Sequence, residues 1–328
     1  MSSLDPLTPP IVESIVRAAT SDADLEERIR ALEAVSGSVD ESGSLWAAVS
    51  RRGDLAELVG APTLDYLLAV ELSKTADPSE FIDAALRALS GPPLPPHRHG
   101  AFALTVASDL VTEGRVPEAI RLLEDVLPRL EETGEMWDLI LANLTLSDLL
   151  RVTRARGARE SAEAALRYAS SLTDQTGIMT VILRTLALAL STDGDPRARN
   201  AVESAIQISD SEQDVAGYCD GHVAAARVYG LLGDGKKAIK TASFGTKLGR
   251  KLGLDVVQAE SWAVLAAAYE IAGSVKKSHA AFEEALRQLD GLGPFGTRYA
   301  EFLRRNGIAS SLRSDSHFIP GRLPDSPF

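Results

Sequence analysis

The sequence predicts an all-α protein, a solenoid of antiparallel helix pairs, and three observations carry that reading. Apolar residues recur at helical spacing through most of the 328 residues. A small residue returns within that pattern at a near-constant step, as Ala69, Ala107, Ser147, Ala187, Ala226 and Ala266, separated by 38, 40, 40, 39 and 40 residues. A second column keeps nearly the same step: Phe81-Ala85-Ala88, Ala119-Leu123-Val126, Ala158-Ala162-Ala165, Ala198-Val202-Ala205, Ala238-Ala242-Gly245 and Ser278-Phe282-Ala285. Small side chains let two helix backbones approach while larger neighbours fill the space beside them. Each unit is therefore expected to be a helical hairpin that buries its apolar stripe against the next.

Taken in order, Pro9 and Pro10 open a helix over 11–19, and Ser21 to Asp24 give a capped start to a second over 25–35. Gly37 and Gly43 break the pattern before a helix over 45–59. Another spans 64–74, with Thr63 as its N-cap. Asp77, Pro78 and Glu80 supply a cap, a first-turn proline and an acid to a helix over 81–89. The prolines of 91–96 (Pro92, Pro93, Pro95 and Pro96) then forbid helix and read as a stiff spacer or a long loop. Beyond them the hairpin tips fall at Gly114, Gly194, Gly233 and Gly273. A short helix over 299–305 is expected to cover the end of the stack. From 308 the Ser, Pro, Asp and Arg content predicts no fixed structure in isolation, with Phe318, Ile319 and Leu323 as isolated apolar spots. The organisation read from this is a helical cap region at 1–60, repeats over 61–306 with a proline-rich loop at 91–96, and a disordered or docking tail at 307–328. Deleting 308–328 is expected to leave helix content intact.

A net charge of -12 disfavours nucleic acid and anionic membrane as partners. The lone Cys219 forbids an intrachain disulfide and suits a reducing cytoplasm, the expected compartment. The opening MSSLDPLTPP lacks the basic start and apolar core of a secretory signal, and the most apolar run, 178–190, is too short to span a bilayer and carries Arg184. No membrane insertion is expected.

The stretch 260–289, ESWAVLAAAYEIAGSVKKSHAAFEEALRQL, shows the repeat most fully. Trp262, Leu265, Ala266 and Tyr269 follow a W-x2-L-G-x2-Y pattern with Ala266 in the glycine position. Ser278, Phe282 and Ala285 follow A-x3-F-x2-A with Ser278 in the first alanine position. This resembles a tetratricopeptide repeat (TPR), extended from the usual ~34 residues to ~40. The resemblance implies a right-handed superhelix whose first helices line a concave groove that grips a protein or peptide segment. It places Thr105, Ser108 and Val111 in that groove, then Leu144, Thr145, Asp148 and Arg151, then Arg184, Thr185 and Leu188, then Val223 and Arg227, and finally Ala263, Ala267 and Glu270. Arg151, Arg184 and Arg227 would form a basic row suited to carboxylates, giving an acidic segment as ligand. The same arginines can instead pair internally with Asp148, Asp220 or Glu260.

Motifs that would carry chemistry are weak. Gly291-Leu292-Gly293-Pro294-Phe295-Gly296 satisfies GxGxxG but follows a helix rather than a strand, and reads as a loop. Gly233 to Lys237 lacks the Ser or Thr of a phosphate loop. His97 and His99 lack a nearby third metal ligand and are expected to be exposed; His222 and Cys219 read as packing residues. The expectation is a non-enzymatic adaptor or scaffold with no cofactor and no metal. The alternatives are a sensor domain answering to a peptide or effector and an all-helical enzyme with an unrecognised site.

Overall fold

The computed structural model describes residues 6–40, 42–74, 78–91, 94–173, 175 and 177–314. Asp77, Pro92, Pro93, Phe318, Ile319 and Leu323, singled out above, lie outside them. Among the described residues every regular element is helical. The chain divides into two compact units, 1–110 and 111–328.

In the first unit, α1 (Pro9–Ala19), α2 (Leu25–Ser36), α3 (Ser42–Arg51), α4 (Gly53–Val59) and α5 (Ala61–Leu72) are followed by α6 (Pro78–Ser90) and the start of α7 (Pro96–Thr112). The Asp24 carboxylate accepts from the Glu27 N–H at 2.9 Å and so fixes the start of α2. The single helix expected over 45–59 is broken at Arg52, whose extended backbone and fork onto the Asp54 carboxylate (2.6 and 2.9 Å) offer the chain a local alternative to another helical turn. Pro62 and Pro96 are no obstacle, because both lie in first turns, where a missing N–H costs nothing. Ile15, Ile29, Leu32, Leu45, Val49, Leu64 and Leu67 surround the fully buried Trp46. The Trp46 indole N–H donates to Ser36 Oγ (3.1 Å), which in turn donates to the Glu71 carboxylate (2.9 Å). His97 is exposed and 3.1 Å from Glu26. His99, expected to be exposed, is buried.

Arg98 ties this unit together. It donates to Glu26 (2.5 and 2.8 Å), to Glu33 (2.8 Å) and to the Tyr66 hydroxyl (2.8 Å). Those Arg98 hydrogen bonds, opposed by burial and helped by Arg30, push the Glu26 carboxyl down to about 2. A carboxyl with a lowered folded pKa stabilises above its ordinary value and loses that contribution as acid protonates it. The melting temperature should therefore fall between about pH 4.5 and about pH 2 through this group, and Glu26→Gln should flatten that part of the profile. An unaltered acid limb in the variant would remove Glu26 as its source.

In the second unit, α8 (Val116–Thr133) precedes four hairpins: α9 (Met136–Val152) with α10 (Ala158–Ala169), α11 (Ile178–Thr192) with α12 (Arg197–Ser211), α13 (Val215–Leu231) with α14 (Gly235–Leu252), and α15 (Asp255–Ile271) with α16 (Val275–Asp290). Each first helix packs on the first helix of the next pair, and each second helix on the first helix that follows it. The small-residue column explains the spacing. Ser147, Ala187, Ala226 and Ala266 are wholly buried, and the Ser147 hydroxyl donates across its own hairpin to the Ala158 carbonyl at 2.6 Å. The second column, through Ala162, Val202, Ala242 and Ala285, is equally buried. At Gly249 the backbones of α14 and α15 approach so closely that an added Cβ would fall 2.8 Å from the Gln258 nitrogen.

The hairpin tips repeat one geometry. Asp195, Asp234 and Ser274 donate their N–H groups to the carbonyls of Leu190, Tyr229 and Tyr269, closing each first helix around a left-handed residue, Gly194, Gly233 or Gly273. Ala155 bonds Leu150 in the same way, but there the left-handed residue is Arg154, at φ 57.

Two corrections concern the carboxyl-terminal end. The terminal helix α17 (Gly293–Asn306) begins six residues before the expected 299, so Gly293 to Gly296 form its first turn rather than a loop. Gly296 sits where a side chain would collide with the Leu289 carbonyl at the end of α16. The residues that composition marks as lacking structure begin with a buried 3-10 helix, Ile308–Leu312, in which Ser310, Ser311 and Leu312 are enclosed. The Ser311 hydroxyl donates to the Ala263 carbonyl (3.0 Å), and Leu312 packs among Val223, Ala226, Val264 and Leu265.

Candidate peptide groove

The first helices α9, α11, α13 and α15 bring their side chains to one cavity of about 250 Å3. Leu144, Thr145 and Asp148 of α9, Arg184, Thr185 and Leu188 of α11, and Val223 and Arg227 of α13 line it, all residues that the repeat register assigns to a groove. Of the remaining groove residues, Arg151 lines a neighbouring cavity and Glu270 lines neither, lying exposed in the last turn of α15. Thr105 and Ser108 lie in the first unit, exposed on α7, where the Thr105 hydroxyl donates to the Ala101 carbonyl at 3.0 Å.

The register rule missed a row. Leu141, Val181, Asp220 and Glu260 also line the cavity, each six residues before the small position of its helix, with Val256 and Val257 a further turn away on α15. The signal was present, because each lies seven residues, about two helical turns, before a register position (Asp148, Leu188, Arg227 and Ala267) and so shares its stripe. Trp137, one turn before Leu141, extends the stripe as an exposed aromatic.

The arginines are held by carboxylates. Arg151 is fully enclosed and donates to Asp148 at 2.8 Å on its own helix. Arg184 of α11 reaches Asp220 of α13 at 3.0 Å, and Arg227 of α13 reaches Glu260 of α15 at 2.9 Å. The last two pairs link three successive first helices like rungs. They differ in burial, which decides what each can do. The side chains of Arg227 and Glu260 are 4% and 9% exposed, whereas those of Arg184 and Asp220 are 23% and 43% exposed. The inner pair is a structural element whose disruption strands a charge; the outer pair is open to water, where an ion pair contributes little to stability.

The 3-10 helix and the residues after it are held by side chains of these first helices and of α17. Arg227 donates to the Ser311 carbonyl at 3.1 Å, Arg151 donates to the Arg313 carbonyl, and the Tyr299 hydroxyl donates to the Ser314 carbonyl at 3.0 Å. Three first-helix or capping side chains thus grip a short run of main chain through its carbonyl oxygens. His222 packs edge-on between Tyr218 and Phe244, and burial pushes its pKa down, so it sits neutral against the rings. Cys219 is buried, and that burial, followed by Asp220 and Asp214, raises its thiol pKa and disfavours the thiolate. Among the described residues no group of three or more His, Cys, Asp or Glu is placed to hold a metal, and no helix is long and apolar enough to cross a membrane.

No protein-family model matches the chain, and no curated protein matches it in sequence. Solved structures do match in fold. A Rap protein complexed with competence and sporulation factor superposes with a TM-score of 0.53 over 92% of this chain and 85% of its own, at 10% identity. A signal transduction ATPase with numerous domains, carrying a tetratricopeptide repeat sensor, from Pyrococcus horikoshii, superposes with a TM-score of 0.52 over 94% of this chain at 13% identity; the match spans about half (52%) of that protein. The fold is that of TPR-like helical-repeat proteins.

Proposed function

We propose that this protein is a peptide-binding adaptor or sensor without catalysis of its own, and that the cavity on α9, α11, α13 and α15 anchors its ligand. The observation that carries the reading is the convergence of four successive first helices on one depression with an apolar wall and a single water-accessible ion pair, Arg184–Asp220. A cavity of about 250 Å3 is below the ~300–1,000 Å3 of sites that enclose a whole small molecule. It suits one or two anchoring side chains of a longer segment, with Trp137 and Leu141 as an apolar platform beside it. Arg184 can take a ligand carboxylate bidentately while Asp220 takes a backbone or terminal N–H, so an acidic segment is the expected partner. The sensor reading draws on the two structural neighbours, one solved with a factor bound and the other described as carrying a TPR sensor.

The test is Arg184→Glu. Because the pair is water-accessible, folding should change by no more than ~1 kcal/mol. Affinity for an acidic, apolar-anchored peptide, selected from a peptide library and followed by fluorescence anisotropy, should fall by roughly tenfold or more, an Arg–carboxylate bond being worth about 1.5–3 kcal/mol. Undiminished binding would place the ligand elsewhere.

A further inference from the structure

We infer that, in the free chain, the peptide cavity is filled by the protein's own residues 315–328, which a ligand must displace. This rests on the peptide-binding reading above and gives that site its regulation. Residues 315–328 lie outside the described residues, and what precedes them is held beside the cavity. Two guanidiniums fix that position. Arg227 lines the cavity and donates to the Glu260 carboxylate on the same wall at 2.9 Å, and it also donates to the Ser311 carbonyl at 3.1 Å. Arg151 donates to Asp148, another carboxylate of the cavity, at 2.8 Å and to the Arg313 carbonyl. The main chain at 311 and 313 is thus one guanidinium away from the cavity wall, on two different first helices. Ser310, Ser311, Leu312 and Ser314 are buried, which makes the stretch an anchor rather than a fraying end. Asp315 follows it directly.

The segment that follows, DSHFIPGRLPDSPF, has the chemistry of the site. Arg322 and Asp325 flank Leu323 and Pro324, an apolar anchor set between opposite charges. The cavity offers the complement, an apolar wall of Leu141, Leu144, Val181 and Leu188 beside the Arg184–Asp220 pair. Asp325 suits the Arg184 guanidinium and Arg322 suits the Asp220 carboxylate. Phe318 and Ile319 suit the platform of Trp137 and Leu141, which are 49% and 41% exposed on α9. Pro320, Pro324 and Pro327 hold φ near the extended range and remove three N–H donors, so the segment loses less freedom on docking than an unrestrained one. Its reach is ample: 14 residues extend to about 45–50 Å, against about 30 Å across four helices packed 8–10 Å apart. Attachment to Ser314 gives the segment an effective concentration on the order of 1 mM, so modest affinity is enough to fill the cavity.

The experiment compares the full chain with one ending at Ser314, which keeps every described element. The probe is a fluorescein-labelled synthetic peptide of residues 315–328, followed by anisotropy. It should bind the shortened chain saturably and the full chain about tenfold less tightly, because a tail that fills the cavity about nine-tenths of the time leaves one-tenth of the molecules competent. The full-length variant Phe318→Ser with Leu323→Ser should bind the probe as the shortened chain does, which separates occupancy from any effect of truncation on folding. Arg184→Glu in the shortened chain should lower affinity for the probe severalfold. Failure of the probe to bind the shortened chain, or equal affinity for the shortened and full chains, would overturn the inference. Neither result touches the peptide-binding reading, which stands or falls with the library-selected peptide and Arg184→Glu in the full chain. A full chain that sediments as a dimer, with a shortened chain that sediments as a monomer, would send the tail to a second copy and overturn docking within one chain.

Discussion

Replacing Arg227 with alanine is expected to destabilise the second unit by about 3–5 kcal/mol. The side chain is almost wholly enclosed, and its partner Glu260 is only 9% exposed, so the substitution leaves a carboxylate without its guanidinium in a place water scarcely reaches. The Ser311 carbonyl loses its donor in the same step. If the cost arises from the stranded charge, removing both charges should restore most of it: Arg227→Met with Glu260→Leu should be close to the native chain in urea unfolding followed by far-UV circular dichroism. Arg184→Ala supplies the contrast, because its pair is exposed to water and should cost no more than ~1 kcal/mol. Equal effects from Arg184→Ala and Arg227→Ala would mean that burial does not separate the two pairs and would remove the reason for assigning only the outer one to ligand exchange.

The repeat was legible because it is written in residue size at a fixed period. Ala69, Ala107, Ser147, Ala187, Ala226 and Ala266 are all at zero exposure, and the glycines marking the hairpin tips take the left-handed backbone. Size and period are local properties, so a single chain displays them without knowledge of the neighbours. The lining of the cavity was legible in part for the same reason: the register places Thr145, Asp148, Arg184 and Arg227 on one stripe, and the structure gathers them at one cavity. The acids that hold the arginines, Asp148, Asp220 and Glu260, were legible as one of two alternatives, and the structure decides for internal pairing. Arg184 meets Asp220 and Arg227 meets Glu260 across neighbouring helices, and it is the lateral offset of packed hairpins that decides between internal pairing and an open basic row. The break at Arg52 escaped because a two-residue Arg–Asp fork competes with one helical turn on nearly equal terms. The buried turn at 308–312 escaped for the opposite reason. Its Ser-rich, Gly-flanked sequence has no strong preference of its own, and its fixing partners, Arg151, Arg227 and Ala263, lie far back in the chain.

Truncation after Gly307 should therefore do more than remove a loose end. It withdraws Leu312 from the cluster of Val223, Ala226, Val264 and Leu265, where its side chain fills the space beside Gly230. Emptying such a leucine site costs about 2–5 kcal/mol. Arg151, Arg227 and Tyr299 also lose their hydrogen bonds to the carbonyls of Arg313, Ser311 and Ser314, at about 0.5–1.5 kcal/mol each. Against this, residues 308–314 no longer have to be ordered, which returns part of the loss. The truncated chain is expected to melt at a lower temperature, with native-like helix content in the cold. The sharper test is coupling. Arg227 and the 3-10 helix share the Ser311 carbonyl, so Arg227→Ala in the truncated chain should cost less than the two changes summed, by at least about 0.5 kcal/mol. Strict additivity would mean that the arginine and the turn act independently, and that the turn rests on this surface without being held by it.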